Sequence, residues 1–302
     1  MSRTIALLAC ASVAALALSA CGSDSLGTST APAGGSSAAP APAVQANPDL
    51  TAKLPEKIRN EKKIVVGTDA TYAPNEFLDA DGKTVIGVQV ELFDAVGAKL
   101  GTDVEWQASA FDTIITGVLG KKYDAGMSSF TINERRLEQV NMVSYFDAGT
   151  QWATAPGNPK GVDPNNPCGK SVAVQTGTIQ DEDDLPVRQA ACGDNKINIL
   201  QFDGQDQATA AVVSGRADAM LADSPIIAYA VKQSDGKLAA LGDIYDAAPY
   251  GIVVPKEQTE FADAISEALK ELEADGTYTA ILTKWGVEQG GIKTFPVNPT
   301  VG

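Results

Sequence analysis

The 302-residue chain is 44% hydrophobic, carries a formal net charge of −15 and contains no histidine. That length and apolar content support a sizeable core in about two domains, while the acidity excludes the clustered Lys and Arg of a nucleic-acid partner. The missing histidine removes Ser-His-Asp and Cys-His catalysis, His-based metal sites and the commonest general base together, so neither enzyme activity nor a metal or cofactor is expected.

Residues 1–20, MSRTIALLACASVAALALSA, place Arg3 before an Ala- and Leu-rich run, the pattern of an export signal. The run is short for a membrane span and has no basic cluster behind it. Leu18-Ser19-Ala20-Cys21-Gly22 resembles the bacterial lipoprotein cleavage box. That resemblance implies that Cys21 carries acyl chains and anchors the protein to the outer face of the cell membrane. The Gly-, Ser-, Ala- and Pro-rich stretch behind it has almost nothing to bury, so 21–53 is expected to be the lipidated cysteine and a disordered tether. The fold is expected to start near Leu54. Besides Cys21 and Cys10 of the signal, Cys168 and Cys192 are the remaining cysteines; in an exported chain with no metal partners nearby they are expected to form a structural disulfide.

Lys63-Ile64-Val65-Val66-Gly67 reads as a buried strand, and Val88, Leu92, Val96 and Leu100 as one face of a helix stopped by Gly101. Val104–Trp106, a helix over Ile114–Leu119 and a strand over Tyr123–Met127 complete a β-α-β-α-β run, the pattern of a parallel sheet. The four prolines between 156 and 167 form a boundary. Then the pattern restarts: strand Ser171–Val174, helix from about Thr178 to Ala191, strand Ile197–Leu200, helix Gln205–Ser214 and strand Ala219–Leu221. The two runs share a phrase, Gly120-Lys121-Lys122-Tyr123-Asp124-Ala125 against Gly215-Arg216-Ala217-Asp218-Ala219, which any α/β turn would also produce. A helix with Phe261, Ile265, Leu269 and Leu272 on one face and a second over TYTAILTKWG close the chain.

Two strand ends carry chemistry. After Met127 the stretch Ser128-Ser129-Phe130-Thr131-Ile132-Asn133-Glu134-Arg135-Arg136 matches a capping box at Thr131-x-x-Glu134, making Thr131 the expected N-cap of a helix that holds both arginines. A helix N-terminus and an arginine fork both suit a carboxylate, although an ordinary cap followed by a solvated basic pair fits these residues as well. In the second run Gln175-Thr176-Gly177-Thr178-Ile179-Gln180 offers Thr178 as another N-cap, with Asp181 at N3. Ala222-Asp223-Ser224-Pro225 then offers Ser224 as a cap, leaving Asp223 at a strand tip to meet an ammonium or solvent.

In order and spacing, VGTDATYAPNEF, GVQVELFDAVGAKLG, GKKYDAGMSSFTINERR, VAVQTGTIQ, SGRADAMLAD and YGIVVPK resemble the successive motifs of the family 3 extracellular solute-binding proteins, receptors of polar amino-acid ABC importers, over roughly 60–290. The resemblance implies an α/β, two-lobed periplasmic-binding-protein-like (type II) fold with two hinge crossings, near Gln151–Ala155 and Ala248–Ile252. Lobe 1 is then 54–152 plus 251–302, and lobe 2 is 153–250. It implies a monomer that captures one free amino acid, polar or charged in its side chain, and delivers it to a membrane permease. Carried onto this chain, Arg136 clamps the α-carboxylate beside the Thr131 hydroxyl and the Ser129 backbone N–H, and Arg135 points elsewhere. Thr178 and Ile179 reach the same carboxylate from lobe 2. Asp223 and the Ser128 carbonyl accept from the α-ammonium, Tyr72 and Phe111 wall the side chain, and Asp69 touches its polar groups. Asn75, where the family often has an aromatic, and Val88-Gln89, where it often has Phe-Asp, depart from the pattern. A sensory lipoprotein using the same cleft, and a dehydratase of the cyclohexadienyl type on the same fold, are the alternative readings. Trp106 and Trp152 are expected to pack rather than to line a pocket.

Overall fold

The computed structural model describes residues 44–301; the expected signal and Cys21 lie outside them. Packing begins earlier than Leu54. The side chain of Asn47 caps helix α1 (Pro48–Ala52), and its own N–H donates to the Lys99 carbonyl at 2.8 Å. Leu50 is buried in the same cluster as Leu54, so the expected tether over 21–53 extends too far: one apolar residue in a polar tract suffices to dock a short helix.

Helix α2 (Glu56–Glu61) leads into β1 (Lys63–Thr68), followed by a small antiparallel meander of β2 (Thr71–Tyr72), β3 (Glu76–Leu78) and β4 (Val85–Ile86). Helices α3 (Val88–Lys99) and α4 (Phe111–Leu119) cross over between β1 and its two parallel neighbours, β5 (Asp103–Ala108) and β6 (Ala125–Gly126). The short helix α5 (Glu134–Gln139) turns the chain into β7 (Val140–Thr154). A second parallel set comprises β8 (Ser171–Gln175), β9 (Asn198–Phe202) and β10 (Ala219–Asp223), connected by helices α6 (Leu185–Ala190) and α7 (Gln205–Val213). Helix α8 (Ser224–Gln233) leads to β11 (Ala239–Pro255), and α9 (Thr259–Ala274) and α10 (Thr277–Trp285) return to the first set.

The strand order is β5-β1-β6-β11-β7-β10-β8-β9. The long strands β7 and β11 lie antiparallel at its centre, and their register slips between Leu241 and Tyr245, between Tyr245 and Ala248, and between Tyr250 and Gly251. Each parallel set has its own core. Phe93 and Val96 of α3 meet Phe261, Ile265 and Leu269 of α9 on one side, whereas Ala211, Val212, Met220 and Ile227 gather on the other. The chain is thus two α/β lobes on two shared strands. Trp152 is fully buried in the second-lobe core, and Trp106 packs edge-on against Phe93; neither lines the cleft described below. Cys168 and Cys192 are disulfide-bonded in the second lobe. No helix among the described residues is long and apolar enough to cross a membrane.

The shared phrase does one job twice. The Asp124 N–H donates to the Val65 carbonyl while its carboxylate accepts the Val65 N–H; Asp218 makes the same pair of bonds with Ser171. Elsewhere the local readings shift. The strand expected over Tyr123–Met127 is reduced to Ala125–Gly126 because Asp124 is spent on this turn. The helix expected over Thr178–Ala191 is a π-helical turn, Gln180–Asp184, followed by α6. Pro186 lacks the N–H that would bond back four residues, so the chain widens there instead.

Candidate functional site

Phe130 to Ile132 run alongside β11: the Gly251 N–H donates to the Phe130 carbonyl, the Ile132 N–H to the Pro249 carbonyl, and Thr131 bridges Tyr250. This pairing overrides the expected capping box. Thr131 is held extended, and the N-cap of α5 is Asn133, whose Oδ1 accepts the Arg136 N–H at 2.9 Å. Asn133→Ala is expected to cost about 1 kcal/mol of stability in chemical denaturation and to weaken ligand binding, because this turn aims Arg136. Likewise α8 starts at Ser224 itself, and the N-cap position falls on Asp223, which makes no side-chain cap bond. Thr178 keeps a capping role, its hydroxyl accepting from the Asp181 N–H and donating to the Gln175 carbonyl.

All ten residues named as ligand contacts from the sequence line one cleft. Asp69, Tyr72, Phe111, Ser128, Ser129, Thr131 and Arg136 come from the first lobe, and Thr178, Ile179 and Asp223 from the second, joined there by Gln175 and Gln180. A wider groove between α7 and α8 has mostly apolar walls and gathers no buried ionised side chain.

Arg136 is 5% exposed. Its Nη1 donates to the Thr131 carbonyl at 2.7 Å and its Nη2 crosses the cleft to the Gly177 carbonyl at 3.2 Å, with the Phe111 and Phe130 rings beside it. No carboxylate lies within ion-pair distance of it among the described residues. Burial lowers its pKa to about 10, so the guanidinium stays charged at neutral pH. Arg135 points away, to Glu182 of the opposite lobe at 2.5 Å. Gly177 has φ +80°, and a Cβ there would stand 2.9 Å from Asp112 Cβ; only glycine lets the lobes meet so closely.

Asp223 is the hub of the far side. The Tyr72 and Tyr250 hydroxyls donate to its Oδ2 at 2.8 and 2.7 Å, and Gln180 Nε2 donates to Oδ1 at 2.8 Å. Burial raises its pKa in spite of these donors. Asp69 accepts from Thr71 and from the Phe111 N–H, and burial raises its pKa as well. One expected role changes: the Ser129 N–H, read as a ligand donor, is committed to Gln89 Oε1 at 3.2 Å. Sequence reading passed over Gln175, Gln180, Tyr250 and Glu76. The first two flank the quoted Thr176–Ile179 turn and Tyr250 opens YGIVVPK, so their positions were visible; what they bond to depends on tertiary structure.

Set against known proteins, the profile described as bacterial extracellular solute-binding proteins, family 3, matches residues 64–288. The arginine-binding protein ArgT of Corynebacterium glutamicum is 36% identical over 254 residues, 83% of each chain. The putative ABC transporter arginine-binding protein 2 of Escherichia coli is 28% identical, covering 80% of this chain and 96% of that one. Among solved structures, an ancestral arginine-binding protein bound to arginine superposes with a TM-score of 0.69 at 32% identity, over 74% of this chain and 98% of that one. Two lobes on shared central strands, a polar cleft between them and a profile match across most of the chain agree: the protein belongs to the bacterial extracellular solute-binding proteins, family 3.

Proposed function

We propose that the protein captures a free amino acid with a cationic side chain, arginine foremost, between its lobes and delivers it to an ABC permease. The observation that carries this reading is the charge set of the cleft: one buried arginine without a carboxylate partner among the described residues, facing two carboxylates. A buried lone cation calls for an anion. The α-carboxylate of the ligand pairs with Arg136 and its α-ammonium with Asp223, which leaves Asp69 for a cation on the side chain. Thr131, Thr178 and Ile179 complete the carboxylate end, the Ser128 carbonyl joins Asp223, and Tyr72 and Phe111 wall the side chain. The names of the relatives point the same way. Lobe 1, with α1 docked on it, runs to 152 and resumes over 251–302, and lobe 2 spans 153–250, the two closing about β7 and β11 by a hinge motion. Cys21 carries the lipid that holds this monomer on the outer face of the membrane, after removal of 1–20. The ligand leaves chemically unchanged: the role is binding and not catalysis.

A thermal-shift screen of the free amino acids tests the reading. Arginine at a hundred times its Kd is expected to stabilise the fold by about 2.7 kcal/mol, and an absence of any amino-acid shift overturns it. In Asp69→Asn, calorimetry is expected to show about a tenfold loss of affinity for arginine, ~1.4 kcal/mol, with glutamine affected less. Equal losses for both ligands would remove Asp69 from the side-chain subsite.

A further inference from the structure

Behind the cleft wall lies an acid that the binding scheme leaves unused. Glu76 is fully buried, with 0% exposure. Ser129 Oγ accepts from Asn75 Nδ2 and from Gln89 Nε2, each at 2.9 Å, so its own proton goes to Glu76 Oε1 at 3.0 Å. Ser128 Oγ accepts the Asp69 N–H at 2.9 Å and approaches the same Oε1 at 3.4 Å. Glu76 Oε2 has no hydrogen-bond partner, and no Lys or Arg pairs with this carboxyl, among the described residues. The titratable groups that bear on it are Asp69 of the loop after β1, Asp223 at the end of β10, and the phenols of Tyr72 and Tyr145. Asn75 and Gln89, two of the three departures from the family pattern, thus meet on one hydroxyl.

From this geometry we infer that Glu76 holds a proton and gives it up to solvent when a cationic side chain enters the cleft, so that it selects for ligand charge through the Ser128–Ser129 wall. A carboxyl with one oxygen unsatisfied, no countercharge and two neighbouring carboxylates is cheaper neutral than ionised. Burial, the largest cause, pushes its pKa well above the usual carboxylate range, and Asp69 and Asp223 push it the same way. A cation beside Asp69 reverses that balance and favours the ionised form. Affinity for a cationic ligand then rises with pH through the titration of Glu76, while affinity for a neutral one does not. The same acid holds the strained turn: Ser129 has φ +54°, left-handed for a non-glycine residue, and Glu76, Asn75 and Gln89 grip it on three sides. Glu76 is therefore a positioning residue with a charge of its own to adjust.

This inference rests on the amino-acid reading, and one experiment separates the two. Calorimetry of the protein with L-arginine and with its neutral ureido isostere L-citrulline, in buffers of different ionisation enthalpy near neutral pH, counts the protons exchanged on binding. Arginine is expected to release a fraction of a proton and citrulline none. In Glu76→Gln the arginine release is expected to vanish and the preference for arginine over citrulline to fall about tenfold. Binding of any free amino acid with no proton release on arginine overturns the role of Glu76 and leaves the amino-acid reading standing. So does release that persists in Glu76→Gln and disappears in Asp69→Asn. Should Glu76→Gln fail to fold, the arginine–citrulline difference measured in Asp69→Asn decides: release that survives there is the result expected for Glu76, and release lost there overturns its role. Binding of no amino acid at all overturns both.

Discussion

Replacing Arg136 by alanine is expected to remove most of the amino-acid affinity, about 3 kcal/mol or on the order of a hundredfold in Kd by calorimetry. The size follows from what the guanidinium faces. Its donors reach only the Thr131 and Gly177 carbonyls, and it stands beside the stacked rings of Phe111 and Phe130 with no carboxylate within ion-pair distance among the described residues. In the proposed complex the ligand carboxylate supplies the anion that neutralises it; without Arg136, that carboxylate enters a buried site with hydroxyls and N–H groups alone. Folding is expected to suffer far less. Two carbonyls lose a donor at about 1 kcal/mol each, but a buried cation with no countercharge disappears as well. The diagnostic result is a melting temperature without ligand close to that of the parent, combined with loss of the ligand-induced shift. Arg135→Ala, which breaks only half-exposed pairs with Glu182 and Asp183, is expected to change affinity by well under 1 kcal/mol. Retained affinity in Arg136→Ala, or a larger loss in Arg135→Ala, would overturn the clamp assignment.

The contrast between these neighbouring arginines shows what was legible in the sequence. Apolar periodicity and strand-end motifs located both parallel sets, and the ten residues carried over from the family resemblance line a single cleft, because strand ends in an α/β sheet converge whatever the details of their turns. Thr131 and Asn133 are equally good caps on paper. The choice between them is made by β11, which pairs with Phe130–Ile132 and holds Thr131 extended. Glu76 was invisible for a similar reason. On a short strand of the meander it reads as a solvated residue, and only the approach of Ser128 and Ser129 from a loop more than fifty positions away encloses it. Tyr250 fell within the expected second crossing, but its bond to Asp223 depends on how β11 runs between the lobes.

Asp223→Asn tests the opposite end of the site, and its expected effect on binding is of the same order, about 2–5 kcal/mol. Asparagine keeps the shape and one acceptor oxygen but removes the charge that an α-ammonium requires. It also turns one acceptor into a donor. Oδ2 accepts from Tyr72 of the first lobe and from Tyr250 of the connecting strand, whereas Oδ1 accepts from Gln180 of the second. Placed toward Gln180, the NH₂ group meets a nitrogen that cannot accept; placed toward the phenols, it makes Tyr72 and Tyr250 acceptors and takes away the oxygen their own protons bonded. The loss therefore has two parts, separable by ligand. A free amino acid is expected to lose both the ion pair and the cross-lobe bonding, while a deaminated analogue with the same side chain is expected to bind the parent weakly and Asp223→Asn no worse by more than about 1 kcal/mol. A double-mutant cycle with Tyr72→Phe isolates the second part: coupling of about 0.5–3 kcal/mol between the two positions is the signature of a bond that spans the lobes. Additive effects at Tyr72 and Asp223 would mean that the phenol only walls the cleft, and an undiminished affinity in Asp223→Asn would place the ammonium elsewhere.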